Sequence, residues 1–350
     1  MNKTAVLYAL LSALLFGLST PAAKVLVGSV DPAILAGLLY CGAGLGVAVL
    51  RRILASLKPP AAVEQPLGRA DLPWLAGAIA AGGVAGPLLL MYGLSVTDAA
   101  TASLLLTLEG AATVLLAWFV FKENYDRRIA VGVVLLVLGA GLLSWSGPPS
   151  LTSLVGPLAI VAACVAWGLD NNLTRKVSLA DPLQIVELKG LVAGPFNVLL
   201  GLSSGAPLPE FSSAISACIV GFLGYGVSLA FFVLALRHLG AARTSAYFAT
   251  APFIGAIAAI FVLGSPLTVH LAAAGALMAI GVWLHLTERH EHEHEHEPLV
   301  HSHLHVHDIH HQHEHNADDP PGEPHTHVHA HGRLRHAHPH VPDMHHTHRH

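Results

Sequence analysis

The chain has 350 residues, of which 53% are hydrophobic and only 11% are charged. Soluble domains carry about 25% charged residues, so this composition excludes an ordinary soluble protein and favours one embedded in a membrane. The net charge of −4 hides a sharp division of the chain. Residues 1–287 hold 14 Lys and Arg against 11 Asp and Glu, whereas residues 288–350 hold 4 against 11, together with 23 of the 26 histidines.

Ten apolar stretches long enough to cross a bilayer follow one another along the chain. A hydrocarbon core about 30 Å thick needs about 20 apolar residues of helix. We therefore predict an all-α membrane protein of about ten transmembrane helices, the first of them retained and not cleaved as a leader. The predicted spans are 4–27, 32–54, 72–95, 99–121, 128–147, 153–174, 182–203, 213–236, 244–263 and 267–287.

The loops between these spans differ in charge. With the N-terminus inside, every outer loop lacks Lys and Arg, and the basic residues collect in the inner loops. Cytoplasmic loops of membrane proteins carry such an excess of positive charge. The sequence thus predicts a multi-pass protein of the inner membrane, with the N-terminus and the C-terminal tail in the cytoplasm.

The chain contains an internal repeat. Residues 16–32 (FGLSTPAAKVLVGSVDP) align with 167–182 (WGLDNNLTRKVSLADP), and residues 98–120 align with 241–263. Each half has five spans, an odd number, so the two copies cross the membrane in opposite orientations. Inverted repeats are typical of secondary transporters, whose binding site lies at the repeat interface. The predicted domains are 1–147, 148–287 and the tail 288–350.

Four short motifs resemble the EamA family of the drug/metabolite transporter superfamily. They are Phe16-Gly17, Lys24, the LEG motif at 108–110 and the FVFKEN motif at 119–124. The resemblance covers roughly residues 4–286 and excludes the tail. It implies ten helices and the efflux or exchange of small metabolites such as amino acids.

Polar residues inside the spans are the candidates for substrate binding, because ionisable groups in a membrane are costly and usually face the interior of the helix bundle. Alternatives stay open: Lys24 can extend to the outer interface, Asp170 can pair with Arg175 or Lys176, and the tyrosines can serve packing alone. The candidate substrate-binding residues are Lys24, Tyr92, Glu109, Trp167, Asp170, Asn171, Asn172 and Tyr247.

Prolines are predicted to break four of the spans, and broken helices free backbone groups that can line a substrate cavity. The alternative is a kink that neighbouring helices absorb. The predicted helix breaks are Pro21, Pro87, Pro195 and Pro252. The sequence lacks a Ser-His-Asp set, a phosphate-binding loop and an HExxH motif, so we expect no catalytic residues, no enzyme activity and no cofactor required for transport.

The tail is rich in His, Pro and acidic residues, a composition that predicts disorder. Its His-x-His spacing puts imidazoles on one side of an extended chain, and neutral imidazole suits Zn, Ni, Co and Cu. A low-complexity solubilising extension and a pH sensor, from imidazoles that titrate near pH 6.5, stay open. The predicted metal ligands are His290, His292, His294, His296, His301, His303, His305, His307, His310, His311, His313, His315, His325, His327, His329 and His331.

Together these features favour a secondary transporter that exports small metabolites and carries a cytoplasmic metal-binding tail. The alternatives are an exporter of divalent Ni, Co or Zn, and a membrane-tethered metal store or sensor. The expected partners are the lipid bilayer, a small-molecule substrate and a divalent metal at the tail. No nucleic acid is expected, and a homodimer stays open.

Overall fold

The computed structural model describes residues 3–57, 66–120, 127–144, 151–177, 180–286 and four strands of the tail. The described helices are α1 Lys3–Val27, α2 Pro32–Leu57, α3 Leu72–Ala78, α4 Gly86–Val96, α5 Ala99–Leu105, α6 Leu108–Phe119, α7 Arg127–Ser144, α8 Leu151–Arg175, α9 Pro182–Ser203, α10 Phe211–Gly221, α11 Ser228–Phe248, α12 Ala251–Leu263 and α13 Val269–Leu286.

Helical structure lies at all ten predicted spans. Within the described residues, eight helical stretches are long and apolar enough to cross a membrane, and two shorter apolar helices, Ala251–Leu263 and Val269–Leu284, follow them. One boundary differs from expectation. Residues 237–243, which the sequence places in a loop, continue α11 without a break, since no proline stops the helix there. Up to residue 286 the described chain is helical, and the protein is a multi-pass membrane protein.

Aspartates begin three of the helices. Asp31 Oδ1 accepts a hydrogen bond of 2.9 Å from the backbone N–H of Ala33, and Asp181 Oδ1 accepts one of the same length from Leu183. Asp98 does the same for Ala100 at the start of α5. The Asp side chain satisfies an amide that the first helical turn leaves unpaired. The Asp-Pro pairs at 31–32 and 181–182 therefore start equivalent helices in the two repeats.

The third and fourth spans of each repeat are irregular. A π-helical segment, Ile79–Ala85, joins α3 to α4, and a second one, Phe222–Val227, joins α10 to α11. The fourth span is interrupted between α5 and α6, and its counterpart between α11 and α12. At each interruption a threonine hydroxyl donates to a carbonyl three residues earlier, Thr107 to Leu104 at 2.8 Å and Thr250 to Tyr247 at 2.6 Å.

The four prolines lie in two different settings. Pro87 is in the first turn of α4, directly after the π segment, and Pro252 is in the first turn of α12, directly after the interruption. Pro21 and Pro195, in contrast, lie inside α1 and α9, which continue through them. The prediction of breaks at these two positions is wrong, because a helix can lose one backbone hydrogen bond and still be held by its packed neighbours.

Glycines allow the first helix of one repeat and the fourth span of the other to touch backbone to backbone. A Cβ on Gly17 would lie 2.4 Å from the carbonyl oxygen of Ala251, so α1 packs directly on α12. A Cβ on Gly168 would lie 2.8 Å from the backbone nitrogen of Thr113, so α8 packs on α6 in the same way. The first helix of each repeat thus packs on the fourth span of the other repeat.

The tail, which the sequence predicts to be disordered, contains four β-strands. They are β1 Glu291–His296, β2 Leu299–His305, β3 His325–His331 and β4 Leu334–Pro339. Strand β1 pairs antiparallel with β4, and β2 pairs antiparallel with β3. The strict alternation of His with other residues has the period of an extended strand, which explains why these segments pair.

Candidate transport site

A buried ion pair joins α8 to α9. Lys189 Nζ donates to both carboxylate oxygens of Asp170 at 2.6 Å, and only 7% and 6% of the two residues are exposed. The hydroxyl of Thr174 donates to Asp170 Oδ1 at 2.8 Å. The carboxylate therefore accepts three hydrogen bonds in a place where an unpaired charge would be very costly.

The first π segment packs directly on this ion pair. A Cβ on Gly82 would lie 1.9 Å from Asp170 Oδ2, so only glycine fits between the two groups. The carbonyl oxygen of Gly82 accepts hydrogen bonds from Tyr40 Oη at 2.6 Å and from Trp167 Nε1 at 2.9 Å. A π segment disturbs the regular helical hydrogen bonding and commonly marks a functional site. Here it places a backbone acceptor beside the ion pair.

A second polar group lies where α6 begins. Glu109 is in the first turn of α6, where its negative charge suits the positive end of the helix dipole. Asn171 Nδ2 donates to Glu109 Oε1 at 3.0 Å and to the Thr113 hydroxyl at 3.2 Å. Glu109 is half-buried and Asn171 is exposed. The neighbouring residue Gly110 is exposed, and a Cβ there would meet nothing within 4 Å.

Asn172 has a structural role in this arrangement. Its amide nitrogen donates to the carbonyl oxygens of Gly168, at 2.8 Å, and Thr113, at 3.1 Å. The side chain thereby ties α8 to α6 and fixes the rotation of α8. Of these consecutive residues, Asp170 pairs with Lys189 of α9, whereas Asn171 and Asn172 both reach Thr113 of α6.

Aromatic rings of the second repeat surround Phe16 of the first. Its ring centroid lies 6.5 Å from Trp167, 5.8 Å from Tyr225 and 5.3 Å from Phe248. Tyr225, from the second π segment, also lies 5.7 Å from Tyr40. Phe16 and Trp167 occupy equivalent positions of the two repeats, so this apolar wall is at the repeat interface, next to the Gly82 carbonyl.

The structure brings together five of the eight candidates: Glu109, Trp167, Asp170, Asn171 and Asn172. The other three lie in different settings. Lys24 Nζ donates to the carbonyls of Leu94 and of Thr97, the latter at 2.7 Å, and so caps the C-terminal end of α4. Tyr92 is 48% exposed on α4, and Tyr247 is half-buried at the end of α11.

Sequence reasoning missed the partner of Asp170. It offered Arg175 and Lys176 of the same helix, whereas the partner is Lys189 of the next helix. Lys189 stood out as an ionisable residue inside a span, which was the available signal. Tyr40 carried no signal, because aromatic residues in apolar spans are usually packing residues, and Phe16 stood out only as part of the Phe16-Gly17 motif.

A separate ion network lies between α2 and the start of α9. Arg51 Nε donates to Asp181 Oδ2 at 2.8 Å, and Arg51 Nη1 donates to Glu187 Oε2 at 3.1 Å. Asp181 also caps the N-terminal end of α9, so Arg51 ties α2 to the start of that helix. Glu187 and Lys189, two residues apart, thus serve two different ion pairs, as residues on different faces of a helix must.

Two further features lie apart from the ion pair. A shallow apolar groove of about 460 Å³ lies between α2 and α10, lined by residues such as Leu45, Ile215 and Phe222. Among the side chains that the structure describes, no three His, Cys, Asp or Glu residues are grouped so that they could hold a metal ion. The predicted metal ligands all belong to the tail.

Comparison with known proteins points to one family. A model of the EamA-like transporter family matches residues 3–145 and again residues 154–287. An uncharacterized transporter of Methanothermobacter thermautotrophicus is 28% identical over 284 residues, which are 77% of this chain and 82% of that protein. The uncharacterized transporter YyaM of Bacillus subtilis is 24% identical over 208 residues, 55% of this chain and 66% of that one.

The fold also matches a solved structure. A crystal structure aligns with a TM-score of 0.59 over 81% of this chain and 96% of the other, at 19% identity. That likeness supports the arrangement of the helices. Both family matches end before residue 288, so the site described above lies in the matched core and the histidine-rich tail lies outside it.

Proposed function

Because this chain belongs to the EamA-like transporter family, we propose that it is a secondary transporter that exports small zwitterionic metabolites, amino acids or close relatives. The chain is a multi-pass membrane protein whose matched relatives include proteins named as transporters. Loops rich in Lys and Arg support an inner-membrane location with both termini in the cytoplasm. The tail would bind divalent metal there.

The Asp170–Lys189 ion pair carries the proposal. A buried pair is stabilised only while each charge has its partner, and removal of one partner leaves an uncompensated charge. A zwitterion can replace both partners at once: its carboxylate binds Lys189 and its ammonium group binds Asp170. A ligand with a single charge can satisfy only one of them.

The surroundings of the pair suit a small ligand of this kind. Tyr40 and Trp167 both donate to the Gly82 carbonyl, so its two lone pairs are used and the ammonium group is left to bind the Asp170 carboxylate. The rings of Phe16 and Trp167 can contact the apolar part of a side chain. Glycine at 82 keeps the backbone close to the carboxylate.

Glu109 supplies a second carboxylate outside the ion pair. It lies at the start of a half-helix and has one described hydrogen-bond donor, Asn171. A half-buried carboxylate with this single described donor can take up a cation or a proton. In this proposal Glu109 couples substrate movement to a proton, so Glu109→Gln should lower the coupled flux while exchange between equal substrate pools continues.

The test is exchange of labelled amino acids in proteoliposomes that contain the purified protein. We expect exchange with zwitterions, and little with matched amines or carboxylates that carry one charge. Lys189→Met and Asp170→Asn should each abolish exchange. Glu187→Gln is the matched control, since it removes a carboxylate from the same helix but from a different ion pair. Wild-type exchange by Lys189→Met would rule the site out.

A second arm of the experiment separates the core from the tail. Protein that ends at residue 287 keeps both segments that match the family, so we expect it to exchange amino acids as the full chain does. Divalent Ni, Co and Zn are tested in the same vesicles. Metal flux without amino-acid exchange would replace this proposal with a metal exporter.

A further inference from the structure

Strands β2 and β3 place histidines directly opposite one another. The register pairs His301 with His329, His303 with His327 and His305 with His325. Successive residues of a strand point to opposite faces, whereas residues two apart share a face. The three pairs consequently form consecutive rows on one face of a two-stranded ribbon.

The two faces of this ribbon have different compositions. Leu299 and His331 form the fourth row of the histidine face, which therefore holds seven histidines. The alternate register positions hold no histidine: Val300 is opposite Ala330, Ser302 is opposite Val328, and Leu304 is opposite Thr326. The histidines of both strands are thus on one face although the strands are 19 residues apart in the sequence.

Strands β1 and β4 repeat the arrangement with two pairs. His292 lies opposite His338, and His294 lies opposite His336. His336 and His338 were absent from the ligands predicted from sequence, and the register supplies the reason to add them. The other face of this ribbon carries the three glutamates of β1, Glu291, Glu293 and Glu295, the last of them opposite Arg335.

We propose that the β2–β3 ribbon, which places histidines of both strands at opposite register positions, is a binding site for a divalent transition-metal ion, Zn, Ni, Co or Cu. Residues directly opposite in an antiparallel pair have Cβ atoms about 4.5–5.5 Å apart in general, a spacing that suits two ligands of one ion. The next His–His position of the register brings further nitrogen donors to the same face. Imidazole nitrogen is the ligand that these metals accept. This assignment rests on the metal-binding tail proposed above.

Metal binding would also stabilise the ribbon. A two-stranded ribbon alone is marginally stable in water, and closing it brings together strands separated by the intervening residues 306–324, at an entropic cost. An ion bound across the strands offsets that cost, since metal affinity for a site absent from the open chain becomes folding free energy. The pairing of imidazoles across the ribbon is then the feature that matters, not their number.

Two variants of the full-length protein with equal histidine counts test this point. The first variant removes the three histidines of β2 that lie opposite histidines of β3, with His301→Ser, His303→Ser and His305→Ser. The second removes three histidines that lie between β2 and β3 in the sequence, with His310→Ser, His311→Ser and His313→Ser. Each keeps 20 histidines in the tail, so a count-dependent affinity would be the same in both.

Titration of the metal-free proteins with Zn, and separately with Ni, measures the tightest binding step. Because two linked ligand sets bind roughly 10²–10⁴-fold more tightly than one, we expect the β2 variant to lose about a hundredfold in affinity. The second variant should match the wild type. Equal losses in the two variants, or none in either, would overturn the cross-strand site while leaving a metal-binding tail in place.

Two readouts keep this inference separate from the proposed function. Amino-acid exchange in vesicles should be unchanged in both tail variants, which shows that the core is folded. If the wild-type protein binds neither Zn nor Ni at micromolar concentration, the cross-strand site and the metal-binding tail both fail. Loss of amino-acid exchange in the wild type, with metal binding retained, would remove only the proposed transport activity.

Discussion

The two repeats share a scaffold but differ in charge. In both, a first helix with a Phe-Gly or Trp-Gly pair packs through its glycine on the broken fourth span of the other repeat. In both, a π segment in the third span packs a glycine against the first helix of the other repeat. The position reached by this glycine is Ser19 in the first repeat and Asp170 in the second.

This difference decides which repeat holds the buried ion pair. A Cβ on Gly224 would lie 2.5 Å from Ser19 Cβ, and Ser19 donates to the carbonyl oxygen of Phe16 within its own helix. Asp170 at the equivalent position instead pairs with Lys189. A symmetric fold can therefore hold an asymmetric site, because packing depends on the small residues that both repeats keep, whereas the buried Asp–Lys ion pair occurs only in the second repeat.

The largest effect should come from unpairing the ion pair. Asp170→Asn leaves Lys189 buried without a counter-charge, and the loss of one partner of a buried pair costs about 3–5 kcal/mol. Asp170→Asn combined with Lys189→Met should recover most of the stability and none of the transport. Thermal unfolding of the purified variants measures this. A double variant no more stable than Asp170→Asn would contradict the argument.

The π-segment glycines test the difference between the repeats. Gly82→Ala forces a methyl group into Asp170, whereas Gly224→Ala meets the smaller Ser19. Overpacking costs about 1–3 kcal/mol in general, so both variants should lose stability. Only Gly82→Ala should also abolish amino-acid exchange. Equal loss of exchange in both variants would mean that the two repeats contribute alike to the site.

The first-helix glycines test the symmetry itself. Gly17→Ala and Gly168→Ala each bring a Cβ against backbone of the other repeat, and we expect similar losses of about 1–3 kcal/mol. Gly110→Ala is the control, since its Cβ would meet nothing within 4 Å and alanine favours a helix. If either Gly17→Ala or Gly168→Ala is as stable as Gly110→Ala, the packing of the repeats is not equivalent.

The smallest effect should come from a pair of serines. Ser12 Oγ donates to the carbonyl oxygen of Ser228 at 2.8 Å, and Ser228 Oγ donates to that of Ser12 at 2.9 Å, both in the buried interior. Ser12→Ala should cost about 1 kcal/mol, the usual net value of one hydrogen bond. Ser56→Ala, at an exposed position, is the control. The difference in unfolding free energy between these two variants gives the result.

Much of the site could be predicted from the sequence, and the reason is physical. Glu109, Asp170 and Asn171 are conspicuous because polar groups are rare inside apolar spans. The partner of Asp170 could not be predicted, since Lys189 lies 19 residues away and reaches it only through the packing of α8 on α9. Pro21 and Pro195 show the converse: the local rule predicts breaks, and the packed bundle keeps both helices continuous.

The tail also shows that the sequence does not specify contacts between distant segments. Alternating histidines predict an extended chain with imidazoles on one side, but the opposing strand is a non-local choice. Only the register reveals that His303 lies opposite His327 and that His336 and His338 belong to the paired set.

Sequence alone determined the membrane class, the helical spans and the two repeats, since apolar length, loop charge and the repeated residue pattern can all be read along the chain. Tertiary structure alone decided which polar groups meet. The Asp170–Lys189 pair, the two donors to the Gly82 carbonyl and the contact of Gly17 with Ala251 all join separate helices. Such contacts depend on how helices rotate and pack, which no local pattern of residues specifies.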